Sequence, residues 1–219
     1  MNPMHDLANR QSRLIGTDIN PWPGLVDAIS SVLVLMFLLY IMKGVAGGEL
    51  EAMKARRALT TLAAAIESRF SAAGLDNVVH CQYKTNLLLV TFSDTVLFNS
   101  GEYVIPRRGK NTLRIFAEAL QTPEAPHFEQ IQVEGHTDST PLSNAGYPHD
   151  NWELSSARAL AVVKELNALG VRSRVISANG YADQVPVANG HGEDSNRKNR
   201  RIEIRLIYSI PRAGELVSR

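Results

Sequence analysis

From Leu25 to Met42 the chain reads LVDAISSVLVLMFLLYIM, eighteen residues that stay apolar all round and carry a single ionisable acid or base, Asp27. At ~1.5 Å per residue such a helix covers about 27 Å, close to the hydrocarbon thickness of a bilayer. The pattern therefore predicts a transmembrane helix over 25–43. Downstream the pattern becomes one-sided: in ELEAMKARRALTTLAAAIESRFSAAG the positions Leu59, Leu62, Ala63, Ile66 and Phe70 form one apolar stripe, and Gly74 closes the helix. That stripe needs a partner, either the folded domain or a second copy of the same helix.

From about residue 78 the spacing shifts toward two. VVHCQYK and NLLLVTF read as strands meeting near Lys84 to Asn86. A helix follows from Pro106, with Leu113, Phe116, Ala117 and Leu120 on one face. FEQIQVEGHTD then runs as a strand into a glycine-containing turn. NWELSSARALAVVKELNALG is the clearest helix, with Asn151 placed as N-cap and Gly170 as its stop. SRVISANGY is a strand, a long polar loop runs to Asn196, and RRIEIRLIY alternates Ile202, Ile204 and Leu206 against Glu203 and Arg205. This order predicts an α/β (α+β) domain, a mixed sheet with helices on one face. The divisions are a tail 1–24, a membrane helix 25–43, a linker with amphipathic helix 44–77, the domain 78–209 and a tail 210–219.

Composition changes little in this picture. The net charge of +1 over 219 residues gives no support for a nucleic-acid protein, and RKNRR at 197–201 has no aromatic residues interleaved with it. The single cysteine, Cys81, makes no intrachain disulfide and reads as a small buried hydrophobe. Six histidines come without metal-binding companions, and no nucleophile–base pair or phosphate loop occurs, so the chain reads as neither an enzyme nor a metalloprotein. His136 is expected as a hydrogen-bonded turn residue. The apolar run is longer than a signal-peptide core and lacks a small-x-small cleavage site after it, which predicts an uncleaved anchor.

Asp27 is the costly residue. A carboxylate inside a bilayer costs at least ~2.5–3.5 kcal/mol on insertion scales, which makes ion handling its default reading, although its place near the end of the span also lets it reach interfacial water. Ser30 and Ser31, three and four residues on, share its helical face. In the domain, Asp138 ends a strand, while Asn151 and Arg158 lie two turns apart on one helix. An aspartate and an arginine beside a helix N-terminus suit a zwitterion, ammonium to carboxylate and carboxylate to guanidinium; a purely structural ion pair fits the same pattern.

VEGHTDSTPLSN, YPHDNWELSSARALAVVKEL and NRRIEI, in that order, resemble the OmpA-like peptidoglycan-binding family. The matching residues are Gly135, His136, Thr137, Asp138, Asn151, Leu154, Ser155, Arg158, Ala159, Asn199, Arg200 and Arg201. The resemblance implies that Asp138 and Arg158 hold the zwitterionic end of diaminopimelate in the wall peptide, with Asn151, Thr137, Leu154 and Arg201 lining the same region. It also implies a periplasmic domain and a cytoplasmic N-terminus in the bacterial inner membrane. Loop charge alone points the other way, with Arg10 and Arg13 before the span and Lys43, Lys54, Arg56 and Arg57 after it; long domains translocate largely regardless of charge.

The 139–150 insertion together with Asp27 resembles the MotB-type B subunits of ion-driven motors. That resemblance implies a homodimer inside a ring of multi-span A-type channel subunits, carrying protons in preference to sodium and needing no bound cofactor. PWPGLVDA and the short connection to the domain look closer to the B subunit of the Zorya anti-phage defence system than to flagellar stators. A passive membrane-to-wall anchor is the remaining alternative, and it leaves Asp27 without a role.

Overall fold

In the computed structural model, residues 21–76, 78–84, 86–122, 125, 128–142, 146–171, 175–190 and 192–208 are described. The expected tail 210–219 and residues 1–20 of the expected N-terminal tail lie outside them. The chain divides into two compact units, 1–47 and 48–219, with helix α1 (Trp22–Ala72) contributing to both.

The first unit contains the apolar part of α1. Trp22–Lys43 is long and apolar enough to cross a membrane, and Val32, Leu33, Phe37 and Leu39 all lie more than half exposed along it. In the second unit, the rest of α1 is followed by β1 (Val79–Lys84), β2 (Leu87–Ser93), the short α2 (Asp94–Leu97) and α3 (Arg107–Leu120). Then come β3 (Gln130–His136), α4 (Asn151–Ala168), β4 (Val175–Gly180), α5 (Glu193–Asn199) and β5 (Arg201–Ile207). The sheet order is β1-β2-β5-β3-β4; only β3–β4 is parallel, and α4 makes the crossover between them. The mixed sheet expected from the sequence is therefore present. Two short helices were not anticipated, and α5 falls inside the stretch expected to be polar loop.

Alternation along β5 sorts the two faces of the sheet. Ile202, Ile204 and Leu206 are fully buried against the helices, whereas Arg201, Glu203 and Arg205 take the opposite face. On the helical side, Phe92 of β2 meets Phe70 of α1 at 6.0 Å and Phe116 of α3 edge-on at 5.5 Å. The stripe Leu59, Leu62, Ile66 and Phe70 belongs to this core, with none of the four more than 3% exposed. A seam between two copies along this stripe, one of the two partners left open, is thereby excluded: the surface is consumed inside one chain. The helix expected in the linker is part of the domain.

Two close approaches seat α4 on the sheet. A Cβ on Gly135 would meet the Ser155 carbonyl, and one on Gly180 would meet the Ser155 and Ser156 hydroxyls. At these positions only a hydrogen atom fits. At the other end of α4, Gly170 turns the chain with φ of 81°, and the amides of Gly170 and Val171 return to Asn167 and Leu166.

Candidate zwitterion site

The N-terminus of α4, the end of β3 and the β2–α2 junction converge on a cavity of about 540 Å³. Asp150, rather than Asn151, caps α4: its side chain accepts from the Glu153 amide at 2.8 Å. Asn151 sits one residue inside the helix, where its side chain points back and donates to the carbonyls of Asp138 (3.2 Å) and Thr140 (3.1 Å). The one-residue shift is physically reasonable because Asp and Asn cap about equally well, so backbone register decides between them. Asn151 therefore staples the turn after β3 to the helix.

Asp138 accepts from the Thr140 amide at 3.0 Å and from Arg200 at 2.6 Å. Arg158 is 2% exposed, and its guanidinium is held on three sides: Nε donates to the Glu102 carbonyl at 2.8 Å, Nη1 to Asp94 at 3.2 Å and Nη2 to the Asn99 carbonyl at 3.3 Å. It also lies over the Phe98 ring at 5.1 Å. Asp138 and Arg158 thus share the cavity wall without pairing to each other. Each has its own partner, Arg200 for the first and Asp94 for the second. Arg200 also reaches Glu193 at 2.7 Å and Asp94 at 3.8 Å.

Asp94 completes this cluster. It is buried, and its Oδ1 has no hydrogen-bond partner among the described residues. Burial pushes its carboxyl above the ordinary range, while Arg158 and Arg200 pull it back. Burial also lowers the Arg158 guanidinium from its usual value, and contacts to Glu193 and Asp138 raise that of Arg200. Three carboxyl groups (Asp94, Asp138, Glu193) face two guanidiniums (Arg158, Arg200) on this wall, one acid in excess. Asp138 and Arg158 place an anionic and a cationic group on one wall, the pair a zwitterion needs, and a ligand there has to exchange with their internal partners Arg200 and Asp94.

Thr137, Asp138, Asn151, Leu154 and Arg158, all expected here, line the cavity. Arg201 does not: its guanidinium bonds Glu203 at 2.6 Å and the carbonyls of Asn199 and Val185. Its neighbour Arg200 takes the place on the wall, because successive residues entering β5 face opposite ways. Asp94 and Glu193 were not singled out from the sequence, and Arg200 was matched to the motif without being assigned to the site. Asp94 had one readable signal, an acidic residue just past a strand end, as Asp138 is. Asp27, Ser30 and Ser31 lie on one face of α1 and are exposed.

Beneath β5 lies a second cluster. The register sets Glu134 directly opposite Glu203, a repulsive pairing that Arg205 (2.9 Å to Glu134) and Arg201 (2.6 Å to Glu203) offset. His136 ends β3 here, stacked on Tyr181 at 5.3 Å, and among the described residues neither ring nitrogen has a hydrogen-bond partner. It is thus a buried strand residue rather than the hydrogen-bonded turn residue expected. Burial, then Arg201, holds its pKa down at about 4. The ligand atoms of Glu134, His136 and Glu203 lie within 4.8 Å of one another, but the two carboxylates already face guanidiniums, which would repel a dication. Cys81 is half-buried, and burial pushes its thiol up to about 12, consistent with an unreactive side chain.

Residues 97–200 match the OmpA family model. The peptidoglycan-associated lipoprotein of Buchnera aphidicola subsp. Baizongia pistaciae is 38% identical over 136 residues, covering 62% of this chain and 73% of that protein. Motility protein B of Bacillus subtilis is 28% identical over 134 residues, covering 61% of this chain; the chain spans about half the length of the Bacillus relatives it matches. Among solved structures, the cell wall anchor of the type VI secretion system of Pseudomonas aeruginosa aligns with a TM-score of 0.57 at 28% identity, covering 67% of this chain and 97% of that one.

Proposed function

The chain belongs to the OmpA family, and on that premise we propose that it is the wall-anchored, single-span B-type subunit of an ion-driven membrane motor. The observation that carries this reading is the union, in one chain, of an apolar helix whose single charged residue between Leu25 and Met42 is Asp27 and a domain with an anionic and a cationic group on one cavity wall. In this reading the cavity takes the diaminopimelate end of a peptidoglycan stem peptide, ammonium toward Asp138 and carboxylate toward Arg158. The domain lies in the periplasm and is held still. Asp27, with Ser30 and Ser31 beside it, carries protons against a multi-span A-type subunit. Two copies pair within a ring of such subunits, and successive protonations drive rotation of the ring around the fixed pair.

The named relatives support anchoring and motility rather than catalysis. Asp27 favours a motor over a passive anchor, because a carboxylate in a span costs free energy that mere tethering does not require. Within motors, PWPGLVDA and the short connection between span and domain favour the Zorya defence type over a flagellar stator.

The test uses the chain co-expressed with its A-type partner in native membranes, reading proton flux and motor output. Asp27→Asn should abolish both while wall binding and expression remain at wild-type level. Full output from a stably expressed Asp27→Asn variant sinks the motor reading and leaves the anchor. Loss of phage protection with swimming unchanged supports the defence type; the converse supports a flagellar stator.

A further inference from the structure

A second cavity, of about 380 Å³, opens beside the zwitterion site. Its walls are Tyr103, Val104, Tyr147 and Leu160, with Lys110 and Lys164 at the rim. The two tyrosine rings meet edge to face at 5.5 Å. Val104, Tyr147 and Leu160 are 64%, 55% and 46% exposed, so apolar and aromatic area is left open to solvent in one place.

Three segments contribute to both cavities. The strap after α2 gives Gly101 to the zwitterion cavity and Tyr103 to the second; α4 gives Leu154 to one and Leu160 to the other; the turn before α4 gives Leu142 and Tyr147. A ligand fixed by one end in the first cavity is thus led over the strap toward the second. Size decides what the second accepts. A protein partner would need about 800 Å² of contact per side, whereas 380 Å³ falls within the range of small-molecule sites. The chemistry narrows it further. Tyrosine rings offer flat apolar faces with a hydroxyl at one end, Lys164 offers donors, and Lys110 is already paired with Glu165 at 3.3 Å. A neutral pyranose ring has the matching features: an apolar C–H face, and hydroxyl and acetamido oxygens around its edge.

We propose that the Tyr103–Tyr147 groove is a saccharide subsite that takes an N-acetylated sugar of the same wall polymer whose peptide occupies the neighbouring cavity. The assignment rests on the peptide-binding reading above. It adds to that reading a selectivity for glycan-attached over free stem peptide.

The experiment measures dissociation constants by calorimetry on the full chain in detergent. Three ligands are compared: a diaminopimelate stem peptide, the same peptide bearing its disaccharide, and peptide-free glycan chains. The disaccharide-bearing peptide should bind about tenfold more tightly than the bare peptide. Tyr147→Ala and, independently, Val104→Asp should each remove that advantage and leave bare-peptide affinity unchanged; Val104 is exposed enough that its replacement does not threaten folding. Equal affinity for the two peptides in the wild type overturns the proposal, as does an advantage that survives both variants. If the bare peptide fails to bind while glycan chains bind and the two variants abolish that binding, the peptide reading falls and the saccharide subsite stands. A change in sedimentation of the variants with sugar binding intact assigns the groove to a protein contact and overturns the proposal.

Discussion

The domain holds two charge clusters about equally rich in acids and guanidiniums, the second reaching the surface through Glu193, and they differ in what they leave over. Beneath β5, Glu134 and Glu203 are matched one for one by Arg205 and Arg201, and Arg201 is tied further to the Val185 carbonyl; what is left over among the described residues is the neutral His136 ring rather than a charge. At the N-terminal end of α4, Asp94, Asp138 and Glu193 exceed Arg158 and Arg200 by one, and among the described residues Asp94 Oδ1 has no hydrogen-bond partner beside an open cavity. A charge-matched cluster holds the sheet in register. An unmatched, open one can exchange an internal partner for an external one, and that is the physical difference between a structural ion network and a receptor.

Arg158→Ala tests this distinction most severely, because Arg158 belongs to both categories. It removes one partner of a buried pair and three hydrogen bonds, so the domain should lose about 3–5 kcal/mol of stability in chemical denaturation along with stem-peptide binding. Three internal acceptors around one guanidinium make Arg158 part of the fold as well as of the cavity wall. Glu203→Gln should cost somewhat less, about 3 kcal/mol, and leave peptide affinity unchanged in the folded fraction. Weakened binding in that variant would erase the line between the clusters. Asp138→Asn keeps an acceptor for the Thr140 amide but breaks the 2.6 Å pair with Arg200, which retains Glu193 and Asp94, so its stability should fall by about 1–3 kcal/mol. Its affinity for stem peptide should also fall at least about tenfold by calorimetry, the worth of one charge-assisted contact.

The smallest effect at neutral pH concerns His136. Its pKa is held at about 4, below its ordinary value, so the unfolded chain binds the proton first. Stability contributed by the neutral ring is complete above about pH 6.5 and declines as pH falls toward about 4. Glu134, raised by burial, runs in the opposite sense, which makes the difference between wild type and His136→Gln the quantity to measure. Thermal melts of that variant should lose part of the acid slope; an unchanged slope would place the titration elsewhere in the cluster.

What the sequence disclosed and what it withheld follow from contact range. Strand β5 is legible because its alternation is local, and α4 because its apolar stripe and its stop residue lie within its own length. Thr137, Asp138, Asn151, Leu154 and Arg158 could be gathered because motif order carries them. Their true partners could not: Arg158 reaches Asp94 across 64 residues and Arg200 reaches Asp138 across 62. No periodicity reports a contact of that span. The same limit left the Leu59–Phe70 stripe with two possible partners, and it put the N-cap one residue late, at Asn151, where a local preference cannot separate it from Asp150.

The close approach of α4 to the sheet at Gly135 and Gly180 gives these residues an influence on a site they never touch. Any side chain there would lift the helix as a body, carrying Asn151, Leu154 and Arg158 away from Asp138 together. The gap between the two charged ends would widen without loss of a single charge. In the proposed reading, the spacing between ammonium and carboxylate that the cavity accepts follows from the thickness of the helix–sheet contact, and glycine keeps that contact at its minimum.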